Sequence, residues 1–254
     1  MLVVLSPAKR LNWDGPVPDV PRTAPRFAAD AAELAGLADA QGADGLRRLM
    51  SISDALARLN AERFAAFARD PAPEATRAAV FGFDGDTYAG LEARTLDPDA
   101  LDFAGRHLRI LSGLYGLLRP FDAIQPHRLE MGTRLANPRG RALYDWWGPR
   151  IAEALNADAA EVGAQVLVNC ASVEYFHAVD ADALALRVIT PVFLEDRPDG
   201  PKVISFHAKK ARGAMARFIL EHRLTDPEAL AAFDAGGYAH APELSAPGRP
   251  AFVR

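Results

Sequence analysis

Apolar positions in this chain occur either as short unbroken runs or as longer stretches repeating every three to four residues, and the two patterns predict different elements. "LVVL" (Leu2 to Leu5) is an unbroken run that stops at Ser6-Pro7, as a short buried strand would. "AAVFGF", "HLRIL" and "QVLVNCAS" read the same way, and "RVITPVFLE" and "KVISFHA" read as two strands of a hairpin joined by "DRPDG". One mixed sheet is therefore expected, with strands over Met1–Leu5, Ala79–Phe83, Val166–Asn169, Val188–Leu194 and Val203–Phe206.

Helical periodicity covers residues 27–41, 44–50, 54–68, 141–156 and 209–223, with a weaker pattern over 226–233. Ser53 is placed to cap the third of these, and Pro71 and Pro73 to stop it. A Pro-rich loop (Pro16, Pro18, Pro21, Pro25) follows the first strand. Strands and helices mix without strict alternation, and neither an internal repeat nor a linker divides the chain. The expectation is one α+β domain over residues 1–254, a mixed β-sheet surrounded by helices.

Composition changes this picture little. The chain has 254 residues, half of them hydrophobic, enough for a full-sized core. No run of about 18 apolar residues occurs, and the four ahead of Ser6 are too few for a signal peptide, so no membrane partner is expected. Cys170 is the only cysteine, which rules out an intramolecular disulfide and a thiolate metal cluster and favours the cytoplasm.

Charge changes it more. The net charge of −4 hides a segregation. Residues 106–150 carry eight arginines against Asp122, Glu130 and Asp145, a local +5, and residues 202–223 carry six Lys/Arg against Glu221, again +5. Two basic segments on an acidic chain can form a positively charged cleft. The only lysines are Lys9, Lys202, Lys209 and Lys210, against 25 arginines, and mark places where a compact point charge suits better than a planar fork.

Candidate chemistry gathers in several stretches. In "KKARGAMARFILEHR", Ala211, Ala214, Met215, Phe218 and Ile219 share one arc of a helix, and Lys209, Lys210, Arg212, Arg217 and Arg223 fill the other. Gly213 and Ala216 between the cations would let a polyanion approach closely. "SPAK" puts Ser6 and Lys9 just past the first strand, either as an exposed Ser-Pro turn or as an anion site. "NCASVEYFHAV" offers Asn169, Ser172, Glu174 and Tyr175 at another strand-to-helix turn. Glu174 and His177 have a di-iron ligand spacing, but no second such motif exists, so no metal and no cofactor are expected. "GFDGDTYAGL" holds Asp84, Asp86 and Tyr88, as an Asp-Gly turn or as a carboxylate pair for acid–base work. The central loop "ILSGLYGLLRPFDAIQPHRLEMG" strings Gly113, Gly116, Arg119, Arg128 and Glu130 together without a hydrophobic pattern to explain them.

"SPAK", "GDTYAGL", "LSGLYGLLRPFDAIQPHRLEMG", "EYF" and "SFHAKKARG", in this order, resemble the YaaA peroxide-stress-response family from Met1 to about Tyr238. The resemblance implies a cytoplasmic protein that binds DNA largely without sequence specificity, through a basic cleft and a helix–hairpin–helix-like element, and helps limit iron-dependent oxidative damage. It singles out Ser6, Lys9, Tyr88, Arg119, Arg128, Glu130, Glu174, Tyr175, Lys209, Lys210 and Arg212. On that reading Gly113 and Gly116 shape a tight hairpin whose N–H groups meet phosphate, and Arg119 and Arg128 supply charge. DNA, duplex or distorted, is the expected partner, with no obligate protein partner. The alternative is an enzyme acting on a nucleotide or nucleic acid in the same cleft, with Glu130, Glu174 or Asp86 as acid or base.

Overall fold

The computed structural model describes residues 1–254, and its fold is α+β. Leu2–Leu5 (β1) is buried at every position, as a strand covered on both faces must be. Leu108–Ser112 (β2) and Val166–Cys170 (β4) lie parallel on either side of it, with Val3 opposite both Leu108 and Val168. Gly116–Leu118 (β3) folds back antiparallel on β2, and Arg187–Ile189 (β5) extends the sheet beyond β4 in parallel. The order is β3-β2-β1-β4-β5. The chain leaves β1 for one neighbour and later crosses to the other, so β1 and β4 flank the point where the strand order reverses.

A smaller sheet packs beside the first. Val192–Leu194 (β6) pairs in parallel with Ala251–Val253 (β8), which pairs antiparallel with Ala239–His240 (β7). One contiguous hydrophobic cluster runs from Met1 to Phe252.

Helices Ala28–Asp39 (α1), Gly42–Met50 (α2) and Asp54–Ala65 (α3) form a small hairpin stack, and the Ser53 hydroxyl caps α3 through the Leu56 N–H. Asp86–Leu91 (α4) and Pro98–His107 (α5) precede β2, with the Asp97 carboxylate capping α5 at the Ala100 N–H. Leu143–Trp147 (α6) and Arg150–Glu161 (α7) replace the single helix expected over 141–156, because Gly148 sits at φ +47° and Pro149 follows it. Val173–Phe176 (α8) is one turn, and Ser205–Glu221 (α9) is the longest helix.

Three expected strands differ. Ala79–Gly82 is a helical turn, apolar because it is buried, with the Ala79 and Val80 N–H groups donating to the Asp122 and Pro120 carbonyls. Val188–Leu194 splits at Pro191, which has no N–H to give, so its halves join different sheets. Val203–Phe206 is no strand. The hairpin closes on two reciprocal bonds between Glu195 and Lys202, and the chain then turns into α9 at Ser205.

Candidate functional site at the carboxyl edge of the sheet

β1 hands the chain to Ser6 at the sheet's carboxyl edge, and β4 hands it to Ala171-Ser172 beside it. The Ser172 N–H donates to Ser6 Oγ at 2.8 Å, and the two hydroxyl oxygens lie 3.3 Å apart. Buried Tyr88, on α4, donates its hydroxyl to the Ser6 carbonyl at 3.2 Å. Burial first, and then nearby Tyr175, drive the Tyr88 hydroxyl pKa well above its ordinary value, so it stays a neutral donor.

The position of α4 is set by glycines. A β-carbon on Gly90 would stand 2.0 Å from the Lys210 carbonyl, and one on Gly213 would stand 1.8 Å from the Thr87 carbonyl. α4 and α9 therefore cross backbone to backbone. This corrects the expected role of Gly213 and Ala216: both are buried, and α4 fills the space at Gly213 that a polyanion would need.

The loop after β3 brings the second half of the site. Glu130 accepts from Lys9 at 2.5 Å and from Arg128 at 2.8 Å. Burial works against ionisation of Glu130, but Lys9 and Arg128 outweigh it and hold its carboxyl below the usual range. An ionised carboxylate with both oxygens engaged positions two cations and is a poor proton acceptor. Glu174 Oε1 accepts the Gly132 N–H at 3.0 Å, and the Tyr144 hydroxyl donates to the Glu174 carbonyl at 2.9 Å. Tyr175 is buried, and that burial, reinforced by Glu174 and Glu130, pushes its hydroxyl far above its ordinary value. Ser6, Lys9, Arg128, Glu130, Glu174 and Tyr175, distant in sequence, thus share one edge. Asp86 lies in the first turn of α4, half-buried, with no partner for its carboxylate.

Other expected members stand elsewhere. Gly113 and Gly116 belong to the buried β2–β3 hairpin, between strands and not between helices. A β-carbon on Gly113 would meet the Leu129 carbonyl at 2.3 Å, and one on Gly116, at φ +67°, would meet the Trp147 ring at 2.6 Å. Trp147 Nε1 donates to the Gly113 carbonyl at 3.0 Å. These glycines admit protein backbone and an indole, and no phosphate can reach them. Arg119 is also displaced. It pairs with Asp158 at 3.4 Å and Glu161 at 3.0 Å, beside buried Arg109 at the start of β2. Because β3 runs antiparallel to β2, Arg119 emerges at the sheet's opposite edge from Arg128.

The basic segments are largely neutralised. Arg106, Arg109, Arg119, Arg128, Arg139 and Arg150 all pair with carboxylates, as do Lys202, Arg217 and Arg223. Lys209, Lys210 and Arg212 on α9 form no ion pair or hydrogen bond within the chain. Lys209 and Lys210 are exposed, and Lys210 lines a cavity of about 700 Å³ with His207 and Arg217. Arg212 is half-buried. Burial pushes the Cys170 thiol up to about 12, so it is neutral and inert. Ser172 is the residue the sequence undervalued. Its only signal is its place just past an apolar run, the same signal that marked Ser6. No group of three or more His, Cys, Asp or Glu is arranged to hold a metal ion.

Residues 1–244 match the family model described as peroxide stress protein YaaA. A UPF0246 protein of Roseobacter denitrificans is 60% identical over 256 residues, covering 100% of this chain and 98% of the relative. One from Cereibacter sphaeroides is 63% identical over 258 residues, covering 100% and 99%, and one from a Jannaschia species is 59% identical over 254 residues, covering 100% and 97%. The chain belongs to the YaaA peroxide stress protein family.

Proposed function

We propose that this chain acts in the peroxide response by binding DNA through its phosphates, without reading base sequence, and so helps limit iron-dependent oxidative damage. The observation that carries this reading is the set Lys209, Lys210 and Arg212: neighbouring cations on one helix with no acidic partner, in a chain where most other cations of the basic segments are paired. Lysines on an exposed helix face suit backbone phosphates, which position a protein but carry no sequence information. Each phosphate they neutralise releases a condensed counterion, and a ferrous ion held there would be displaced with the rest.

The test is the salt dependence of duplex binding. The logarithm of affinity should fall linearly with the logarithm of salt, by roughly 0.9 per phosphate contacted. Replacing Lys209 and Lys210 with Ala should reduce the slope by about two and weaken unrelated sequences alike, whereas Arg58→Ala should change little. Identical behaviour of the double variant and Arg58→Ala would remove α9 as the DNA site.

A second reading is favoured by one specific arrangement: Glu130, gripped by Lys9 and Arg128, lies on the same edge as Ser6 and Tyr175. Such a fixed constellation at a switch point suits an enzyme acting on a nucleotide or nucleic acid. Release of product from a nucleotide or DNA by wild type, absent in Lys9→Ala, would establish it.

A further inference from the structure

We infer that the groove between the Pro-rich loop and α5 binds a free medium-chain fatty carboxylate, its alkyl chain along the groove and its head group on Arg119. The site stands apart from the cations of α9 and does not rest on the DNA reading. It gives a place to Arg119, which the β3 return keeps away from Arg128.

The groove has a volume of about 660 Å³, within the range of small-molecule sites. Pro18, Val20 and Pro21 of the loop line it together with Leu96, Leu101 and Phe121. Proline at positions 18, 21 and 98 removes the N–H there, so the lining is apolar in its backbone as well. The loop is pinned. The Thr23 N–H donates to the Phe121 carbonyl at 3.1 Å, the Thr23 carbonyl accepts the Ala123 N–H at 2.8 Å, and Arg22 donates to the Pro73 carbonyl at 2.7 Å. The groove is therefore preformed, and a ligand need not order it. Its lining is aliphatic and prolyl apart from Phe121, whose ring already stacks on Phe81 with centroids 6.3 Å apart. That suits an alkyl chain better than a flat ring system.

Thr23 and Arg119 also line a recess of about 250 Å³ with Arg26, Asp122 and Asp158, so the two cavities meet at these residues. Asp158 carries three guanidiniums, Arg26 and Arg119 on Oδ1 and Arg109 on Oδ2. Asp122 accepts from the Thr23 hydroxyl at 2.6 Å and from the Arg119 backbone N–H at 2.8 Å. Both buried carboxylates are thus engaged, whereas the Arg119 guanidinium is only partly so. Its Nη2 lies 3.4 Å from Asp158 and 3.0 Å from exposed Glu161, and its Nε and Nη1 have no acceptor in the chain. With its side chain 40% exposed, Arg119 is open to an anion arriving from the groove. The other charges along the groove offer no such donor: Asp102 and Arg106 pair with each other at 2.6 Å, and Asp19 is exposed. An apolar body with one negative end matches this arrangement, and a neutral chain leaves the Arg119 donors unused.

The experiment titrates the full chain with hexanoate, octanoate and decanoate, and with octanamide as the uncharged counterpart, in a calorimeter. Affinity should rise about fifteenfold for every two methylenes added, the worth of burying them. Wild type should bind octanoate about tenfold more tightly than octanamide, the worth of one charge-assisted hydrogen bond. Arg119→Gln leaves Asp158 its pairs with Arg26 and Arg109, and should erase that preference while octanamide binding stays within roughly twofold. Val20→Asn should weaken octanoate and octanamide alike, by roughly fivefold, which locates the chain in the groove without touching the arginine. Equal binding of octanoate and octanamide by wild type, or a preference that survives in Arg119→Gln, overturns the assignment. So does an affinity that ignores chain length. A dimer that Val20→Asn dissociates, with no binding of any of the acids, would make a second copy of the chain the occupant and also overturn it.

Discussion

Gly213 of α9 lies so close to Thr87 of α4 that a β-carbon at position 213 would stand 1.8 Å from the Thr87 carbonyl oxygen. One helix carries the unpaired cations and the other carries Tyr88, which bonds Ser6, so this contact fixes the two parts of the edge relative to each other. Gly213→Ala must push the helices apart. Thermal unfolding should show a loss of about 3 kcal/mol, at the upper end for overpacking, and duplex binding should weaken with it. An unchanged melting temperature would mean that the helices separate without cost and that the contact positions nothing.

Asp158 and Arg109 form a buried pair at 2.5 Å, and both side chains are almost entirely inaccessible. Burial alone would raise the Asp158 pKa, but Arg109 and Arg26 hold it below the ordinary carboxylate value. Asp158→Ala strands a buried guanidinium and should cost about 3–5 kcal/mol in urea denaturation. Replacing both residues with apolar ones of similar volume should cost much less. Equal losses in the single and double variants would show that packing, and not the stranded charge, sets the cost.

His127 is buried against the Tyr115 and Phe83 rings, and burial lowers its pKa to about 4. The unfolded chain binds the proton near pH 6.5, whereas the folded chain stays neutral until about 4. Between those values the unfolded state holds more protons, so this residue's contribution to stability falls as pH falls, by up to about 1.4 kcal/mol per pH unit. His127→Phe should flatten that part of the profile relative to wild type, read as denaturant midpoints from pH 7 to 4. Parallel profiles would mean that the imidazole charges freely in the fold.

Glu130→Gln releases Lys9 and Arg128 from their shared carboxylate. If Glu130 only positions cations, the variant should bind duplex DNA more tightly at low salt, with a salt slope steeper by about one to two. Weaker binding would contradict that role and give Glu130 a direct part in holding ligand. Loss of a turnover detected in wild type would place it in the chemistry of the second reading.

Several parts of the molecule were legible in the residues alone. Leu2–Leu5 is an apolar run too short for a helix, Leu108–Leu111 and Val166–Cys170 are broken only by Arg109 and Asn169, and burial on both faces leaves a strand little other pattern to show. Ser53 announced a helix start because a capping side chain acts within three residues of itself. Ser6 and Lys9 stood out because a strand's end is written locally. The same local reasoning failed at Ala79–Gly82, where burial makes a helical turn apolar and the run is too short to show a period.

What the sequence could not show was which of its charges and glycines face which partner. Arg119 and Arg128 are nine residues apart and look alike on the page, yet the antiparallel β3 leaves Arg119 at one edge of the sheet and the following loop, packed on Gly113, carries Arg128 back to the other. Gly113 and Gly213 both read as openings for phosphate, but the nearest atoms are the Leu129 and Thr87 carbonyls, brought there by elements remote in the chain. Capping and strand formation depend on neighbours a few residues away, so the sequence by itself determined them. Pairing of charges, close approach of backbones and the meeting of Ser6 with Ser172 depend on long-range packing, and only the tertiary structure decided those.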